Sequence, residues 1–210
     1  MKFLLIDDHK IIREGLKQIL LIHFPSATFD EGASAEEVVK NISASDYDLV
    51  ICDLSMPGRS GLDVLKQVKE TKPKLPVLIL SMQPDEHYAV RAIKAGAWGY
   101  VNKSDGAEVL IPAVHRILQG RKFIPDDLAQ RLAENLTASD TSEDRLHENL
   151  STREFDIFKL LVEGKSISEI SQQLSLGMST VSTHRARILF KMNMKSNAEL
   201  VKYAIQNNLV

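Results

Sequence analysis

The chain holds 210 residues, 44% of them apolar and 26% charged, with a net charge of −2; this profile excludes a disordered or fibrous chain and fits one or two globular domains. So small a charge excludes bulk attraction to nucleic acids or membrane surfaces. Cys52, the single cysteine, excludes an intrachain disulfide and points to a reducing cytoplasm as the place of action.

The first residues, KFLLI at 2–6, read as a strand, and the paired acids Asp7 and Asp8 break the apolar run too early for a signal peptide. No uninterrupted apolar stretch approaches the roughly 20 residues of a bilayer-spanning helix, so no membrane partner is expected. An amphipathic pattern follows, IIREGLKQILL, in which Ile12, Leu16, Ile19 and Leu20 share one helical face. Strand signals recur at ATFDEG (27–32), DLVIC (48–52), PVLILS (76–81) and WGYVN (98–102). Between and after them lie the helical patterns GLDVLKQVKE, YAVRAIKAG and AEVLIPAVHRILQG. Gly96 and Gly120 are placed as helix stops, and Pro112 falls early in the last helix, where a proline is best tolerated. Runs such as VIC and VLIL do not alternate, as expected of central strands covered on both faces. The whole predicts an α/β domain over residues 1–120, a doubly wound five-stranded parallel sheet with five helices, four of them marked by the patterns above.

Residues 121–149 begin with a short amphipathic segment, PDDLAQRLAENL, and pass into TASDTSEDRLHEN, too polar to pack a core. They read as a linker with a short helix. From 150 to 210 the strand signals vanish. Ser151 and Glu154 have the spacing of a capping box, and helical patterns follow at 151–163, 166–174, 178–193 and 196–206, a second, all-α domain of four helices. From Leu150 onward eight Lys and Arg face five acids, a surplus of three; with −2 overall, the remainder carries −5. The two parts are therefore expected to meet different partners.

Ligands of a doubly wound sheet sit outside the carboxyl ends of its strands. Strand one delivers Asp7 and Asp8 there, strand three Asp53 and strand four Ser81, while Lys103 follows strand five. Clustered carboxylates drive each other's pKa up unless a cation compensates. Oxygen ligands with open positions suit Mg2+ together with a phosphate. Singly, each acid is an ordinary strand end or helix cap; the ordered set of five groups is not. Cys52 points to the opposite face as a buried structural thiol, and His9 opens the first helix.

On DDHKIIREGL, DLSMPGRSGLDVL, LSM and AIKAGAWGYVNKS, residues 1–120 resemble a response-regulator receiver domain of CheY-like strand order 2-1-3-4-5. The resemblance implies that Asp53 accepts a phosphoryl group from a phosphohistidine of a sensor histidine kinase. It further implies Mg2+ held by Asp8, Asp53 and the backbone carbonyl of Ser55, with Asp7 acting through water. Lys103 would neutralise phosphoryl oxygens, Ser81 would hydrogen-bond the phosphoryl group, and Tyr100 would be the aromatic switch behind it. Ser55 and Gln83 stand where family members tune autodephosphorylation.

The second domain resembles the LuxR-type helix-turn-helix of NarL/FixJ response regulators on LSTRE, Gly164, EIS at 169–171, TV at 180–181, His184 and KM at 191–192. The helix at 178–193 would enter the major groove of double-stranded DNA. Its Val181, Ile188 and Met192 form a core stripe; Ser179, Ser182, Thr183, Ala186, Arg187 and Phe190 lie opposite. DNA contacts are assigned to Ser179, Thr180, Ser182, Thr183 and His184, with Arg185, Arg187 and Lys191 on phosphates. Hydroxyls discriminate bases less than a bidentate arginine, so binding is expected to need a homodimer on a two-fold site. Phe190 is expected to be covered by the linker or another domain. The leading reading is thus a phosphorylation-controlled transcription factor and not an enzyme. A second reading keeps the phosphoswitch but gives the helical domain a protein partner. A phosphatase-like hydrolase would carry D-x-D, whereas Asp53 is followed by Leu54 and Ser55.

Overall fold

The computed structural model describes residues 1–33, 42, 45–56, 60–82, 86–125, 128–130, 146–207 and 209. The chain divides into two compact units, Met1–Ala138 and Ser139–Val210. The first contains β1 (Lys2–Ile6), α1 (Lys10–His23), β2 (Thr28–Gly32), β3 (Leu49–Asp53), α2 (Gly61–Thr71), β4 (Val77–Ser81), α3 (Glu86–Lys94), β5 (Gly99–Asn102) and α4 (Gly106–Leu118). All strand pairs are parallel, in the order β2-β1-β3-β4-β5. Of the fifth helix expected for this unit, Ile42, between β2 and β3, is helical, and the residues on either side of it lie outside the described set.

Burial explains the sequence pattern. Every residue of β3 and β4 is buried, which is why their apolar runs are unbroken, whereas the edge strand β2 stays partly open. On one face Phe3, Leu5, Ile51, Leu78 and Val101 pack with Leu20 of α1 and Leu110, Val114 and Ile117 of α4. Leu62, Leu65 and Val68 of α2 are buried as their spacing requires. Cys52 is fully buried, and burial drives its thiol well above the ordinary range, so it stays protonated and inert. Pro112 stands at the seventh of thirteen positions of α4, deeper than the sequence pattern placed it. Pro112 and Glu108 are both exposed, so the carbonyl left without an N–H partner lies on the water side.

The register levels the ends of the strands. Ile6 pairs with Cys52, Asp53 with Leu80 and Ser81 with Asn102, so Asp7, Asp53, Ser81 and Lys103 emerge at one edge of the sheet. Beyond α4, the Phe123 N–H donates to the Trp98 carbonyl at 2.8 Å and Phe123 bridges Gly99, covering the outer edge of β5.

The second unit holds a short 3-10 turn (Leu146–Asn149), then α5 (Thr152–Val162), α6 (Ile167–Gln173), α7 (Met178–Lys191) and α8 (Asn197–Gln206). Ser151 and Glu154 form the capping box. Phe155, Phe158, Ile170, Val181, Ile188, Met192 and Leu200 are fully buried, and the stripe read on α7 is part of that core. The turn between α6 and α7 is closed by Ser175 in a left-handed conformation (φ 52°) and by the Ser171 hydroxyl on the Leu176 carbonyl at 2.5 Å. The short helix expected within 121–149 falls mainly outside the described residues.

Candidate functional site

The acidic loop after β1 is closed by His9, the N-cap of α1, whose N–H donates to Asp7 Oδ1 at 2.8 Å. Asp7 and Asp53 are 1% and 4% exposed, buried carboxylates that a shared cationic partner makes tolerable, and Ser81 at the end of β4 is wholly buried. Lys103 is that partner: its Nζ lies 2.6 Å from Asp7 Oδ2 and 2.9 Å from Asp53 Oδ1. A tight turn aims it. The Asn102 side chain accepts from the Ser104 N–H at 3.0 Å and its hydroxyl at 2.9 Å, and Asp105 reaches back to the Asn102 N–H. Ser104 thus fixes the turn that follows β5.

Electrostatics match the geometry. Burial, and the neighbouring Asp7 charge, lift the Asp53 carboxyl above its ordinary range, while Lys103 and the Ser55 backbone oppose the lift. Burial pulls Lys103 down, but hydrogen bonds and charge from Asp7 and Asp53 outweigh it and hold the ammonium above its usual range. A carboxylate of raised basicity is a better nucleophile once ionised. A carboxyl whose pKa rises on folding favours the folded state only while protonated, so its contribution is present in acid and lost as pH rises through the folded value. Asp53→Asn is therefore expected to melt above the parent at pH 7 in EDTA, with the gap closing as pH falls toward about 4. Thermal melts across that range check it; a variant melting below the parent at pH 7 contradicts it.

Asp7, Asp8, His9 and Asp53 bring ligand atoms within 4.8 Å of one another. Asp8 Oδ1 and Asp53 Oδ1 are buried without a well-aligned hydrogen bond; His9 Nδ1 lies 3.0 Å from the first and Lys103 Nζ 2.9 Å from the second. Buried carboxylate oxygens with spare lone pairs are what a hard divalent cation takes up, so the donor set fits Mg2+. Ser55 is exposed beside them, and Tyr100 is buried on β5. Gln83 lies outside the described residues.

Two positioning features escaped the sequence reading. Gly61 opens α2 against the acceptor strand: its N–H donates to the Leu54 carbonyl at 2.8 Å, and a Cβ there would run into the Asp53 carbonyl and lie 2.9 Å from Leu54 Cα. Arg13, the other, donates from Nη1 to the Asp7 carbonyl at 2.5 Å. Glycine and arginine in a motif do not by themselves disclose such contacts.

In the second unit, Ser179, Thr180, Ser182, Thr183 and Arg187 are exposed on α7. The Thr183 hydroxyl donates to the Ser179 carbonyl at 2.9 Å, which leaves its oxygen as an acceptor. Arg185 and His184 are half-buried. Arg185 Nε donates to Asn197 Oδ1 at 2.8 Å, at the start of α8. Burial, with Arg187, Arg153 and Lys191 nearby, holds the His184 ring below its usual range against the pull of Glu154. Phe190 is 87% exposed; among the described residues nothing covers it.

Lys191 is engaged inside its own unit, with Nζ 2.6 Å from Glu154 Oε2 and 3.4 Å from the Asn149 carbonyl. Burial works against Glu154, yet Lys191 and Ser151 hold it below the ordinary carboxylate range. Because Lys191 is 37% exposed, Lys191→Met is expected to cost the unit only about 1 kcal/mol in chemical unfolding. The salt slope of DNA binding should barely change, whereas loss of a phosphate contact lowers it by about 0.9.

Among the described residues no helix is long and apolar enough to cross a membrane. Residues 3–115 match the response regulator receiver domain, and residues 148–204 match the luxR family of bacterial regulatory proteins. Over the full chain, the sequence is 34% identical to the oxygen regulatory protein NreC of Staphylococcus carnosus, covering 99% of that protein. It is 30% identical to the response regulator UvrY of Escherichia coli O6:H1, with 98% of this chain and 94% of that one aligned. A similar solved structure is RcsB from Salmonella enterica serovar Typhimurium bound to promoter P1flhDC in the presence of the phosphomimetic BeF3-, at 26% identity and a TM-score of 0.59, covering 97% of both chains. A receiver with its acidic pocket, followed by a LuxR-type DNA-binding domain, places this chain in the NarL/FixJ family of two-component response regulators.

Proposed function

We propose that Asp53 is the phosphoryl acceptor of a sensor histidine kinase and that its phosphorylation controls homodimerisation and sequence-specific binding to double-stranded DNA. The observation that carries this reading is the shared hold of Lys103 on two buried carboxylates at the ends of neighbouring strands. An Asp53 carboxylate oxygen attacks phosphorus; the P–N bond of the phosphohistidine breaks, and the imidazole nitrogen keeps the electron pair. Asp8, Asp53 and the Ser55 carbonyl are the proposed Mg2+ ligands, with Asp7 acting through water. The cation supplies charge neutralisation and template geometry for the transfer. Lys103 passes from carboxylate to phosphoryl oxygens, Ser81 donates its hydroxyl to the new group, and Tyr100 repacks behind it.

The proposed organisation is a receiver at 1–120, a linker at 121–149 and the DNA-binding domain at 150–210, in a cytoplasmic protein. On DNA, Ser179, Thr180, Ser182, Thr183 and His184 contact base edges or backbone, and Arg185 and Arg187 serve phosphates. Lys191 is the weakest of these assignments, because Glu154 holds it. The promoter-bound, BeF3-treated RcsB structure supports the link between phosphorylation and DNA. The test is selection of bound sequences from random duplex DNA, with and without an acyl-phosphate donor and Mg2+. Enrichment of a two-fold site that depends on the donor and is lost in Asp53→Asn is expected. Enrichment of no sequence, even by the phosphorylated chain, favours a protein partner for the helical domain.

A further inference from the structure

Resting on the Mg2+-dependent chemistry proposed above, we infer that Arg13 is a positioning residue for the cation site, fixing the Asp7–Asp8 peptide from which both acids project. Arg13 lies in the first turn of α1 and its side chain is only 11% exposed. Nη1 donates to the Asp7 carbonyl at 2.5 Å and Nε to Glu31 Oε2 at 3.0 Å. Glu31 is on β2, next to its last residue, and also receives Lys17 Nζ at 3.4 Å. The guanidinium fork therefore clamps the loop after β1 to the edge strand.

The clamp meets a specific need. β1 ends at Ile6, so no ladder partner continues to serve the Asp7 carbonyl, although the Asp7 N–H still donates to the Gly32 carbonyl at 3.2 Å. With Arg13 on the carbonyl, His9 N–H on Oδ1 and Lys103 on Oδ2, all the polar groups of Asp7 are engaged. The Asp7 carbonyl belongs to the same planar peptide as the Asp8 nitrogen. Holding its oxygen sets the direction in which the Asp8 chain leaves the strand. Glu31 absorbs the guanidinium charge; its carboxyl is held below the ordinary range by Arg13 first, against burial. Arg13 thus orients the acids without competing for their oxygens. A lysine reaches one of the two acceptors and not both.

Isothermal calorimetry of the full chain with MgCl2, beside phosphorylation rates in acetyl phosphate at rising Mg2+ and far-UV circular dichroism melts, tests this. Arg13→Ala is expected to weaken Mg2+ binding about tenfold or more, as loss of an outer-shell partner does. Its phosphorylation rate should return to the parent value at saturating Mg2+. Arg13→Lys and Glu31→Gln should lie between, with melting close to the parent; these two carry the test if the alanine variant does not fold. Unchanged Mg2+ affinity in folded variants, or a rate that stays low at saturating Mg2+, overturns the inference. A parent chain that binds no Mg2+ overturns the proposed pocket chemistry itself, a different result.

Discussion

Lys103→Ala is expected to cost the receiver about 3 kcal/mol in metal-free buffer, because removing one member of a buried ion group strands the others. Two carboxylates, 1% and 4% exposed, are left facing each other without their shared ammonium. Lys103 is also what opposes the burial of Asp53, so without it that carboxyl moves further up. The sign of the pH effect follows: the penalty is small in acid, where Asp53 is protonated, and grows as pH rises through its folded value. Mg2+ restores part of the lost positive charge, so melts with and without MgCl2 should differ more for the variant than for the parent. Phosphorylation by acetyl phosphate should fall at least 100-fold, on the order of the loss of one preorganised charge-stabilising donor. A variant as stable as the parent at pH 8 without metal contradicts this role.

Gly61→Ala is the second large effect. Its φ is ordinary, so the penalty comes from space: the added Cβ would overlap the Asp53 carbonyl and sit 2.9 Å from Leu54 Cα, and backbone cannot swing away as a side-chain tip can. Either α2 retreats, breaking the Gly61 N–H bond to Leu54 and straining the Ser60–Asp63 capping box, or the Asp53 loop moves. Overpacking of this kind costs roughly 1–3 kcal/mol. The Asp53 carboxylate is displaced from Lys103, so the initial phosphorylation rate should drop more than the loss of folded protein accounts for. Urea unfolding and initial-rate measurement on the folded fraction separate the two; a rate loss equal to the loss of folded protein reduces Gly61 to a packing residue.

The contrast between Asp53 and Gly61 shows what the sequence discloses. Strand ends are legible because buried runs such as VLIL stop at polar residues, and a parallel sheet gathers those stops at one edge, which makes the positions of Asp7, Asp8, Asp53, Ser81 and Lys103 legible. The all-α character of the second unit was legible from its periodicity and the Ser151–Glu154 box. Contacts between distant elements were not. Periodicity tells which face a residue occupies but not what it touches, so Arg13 on Asp7 and Glu31, and Gly61 against Asp53, needed the fold. Lys191 illustrates the same limit in reverse. Its charge and place on α7 read as a phosphate contact, while Glu154, 37 positions earlier, supplies a partner that no local pattern announces. Pro112 is sixth in the pattern that begins at Ala107 and seventh in α4, so it lies beyond the first turn from either start.

The central claim, that a phosphoryl group on Asp53 governs DNA binding, is tested most directly by fluorescence anisotropy of a selected DNA duplex titrated with the full chain. The titration is run with acetyl phosphate and Mg2+, without donor, and with Asp53→Asn under both conditions. Affinity should rise with the donor only in the parent, together with a shift from monomer to dimer on the same samples. Equal affinities in all four titrations contradict the account.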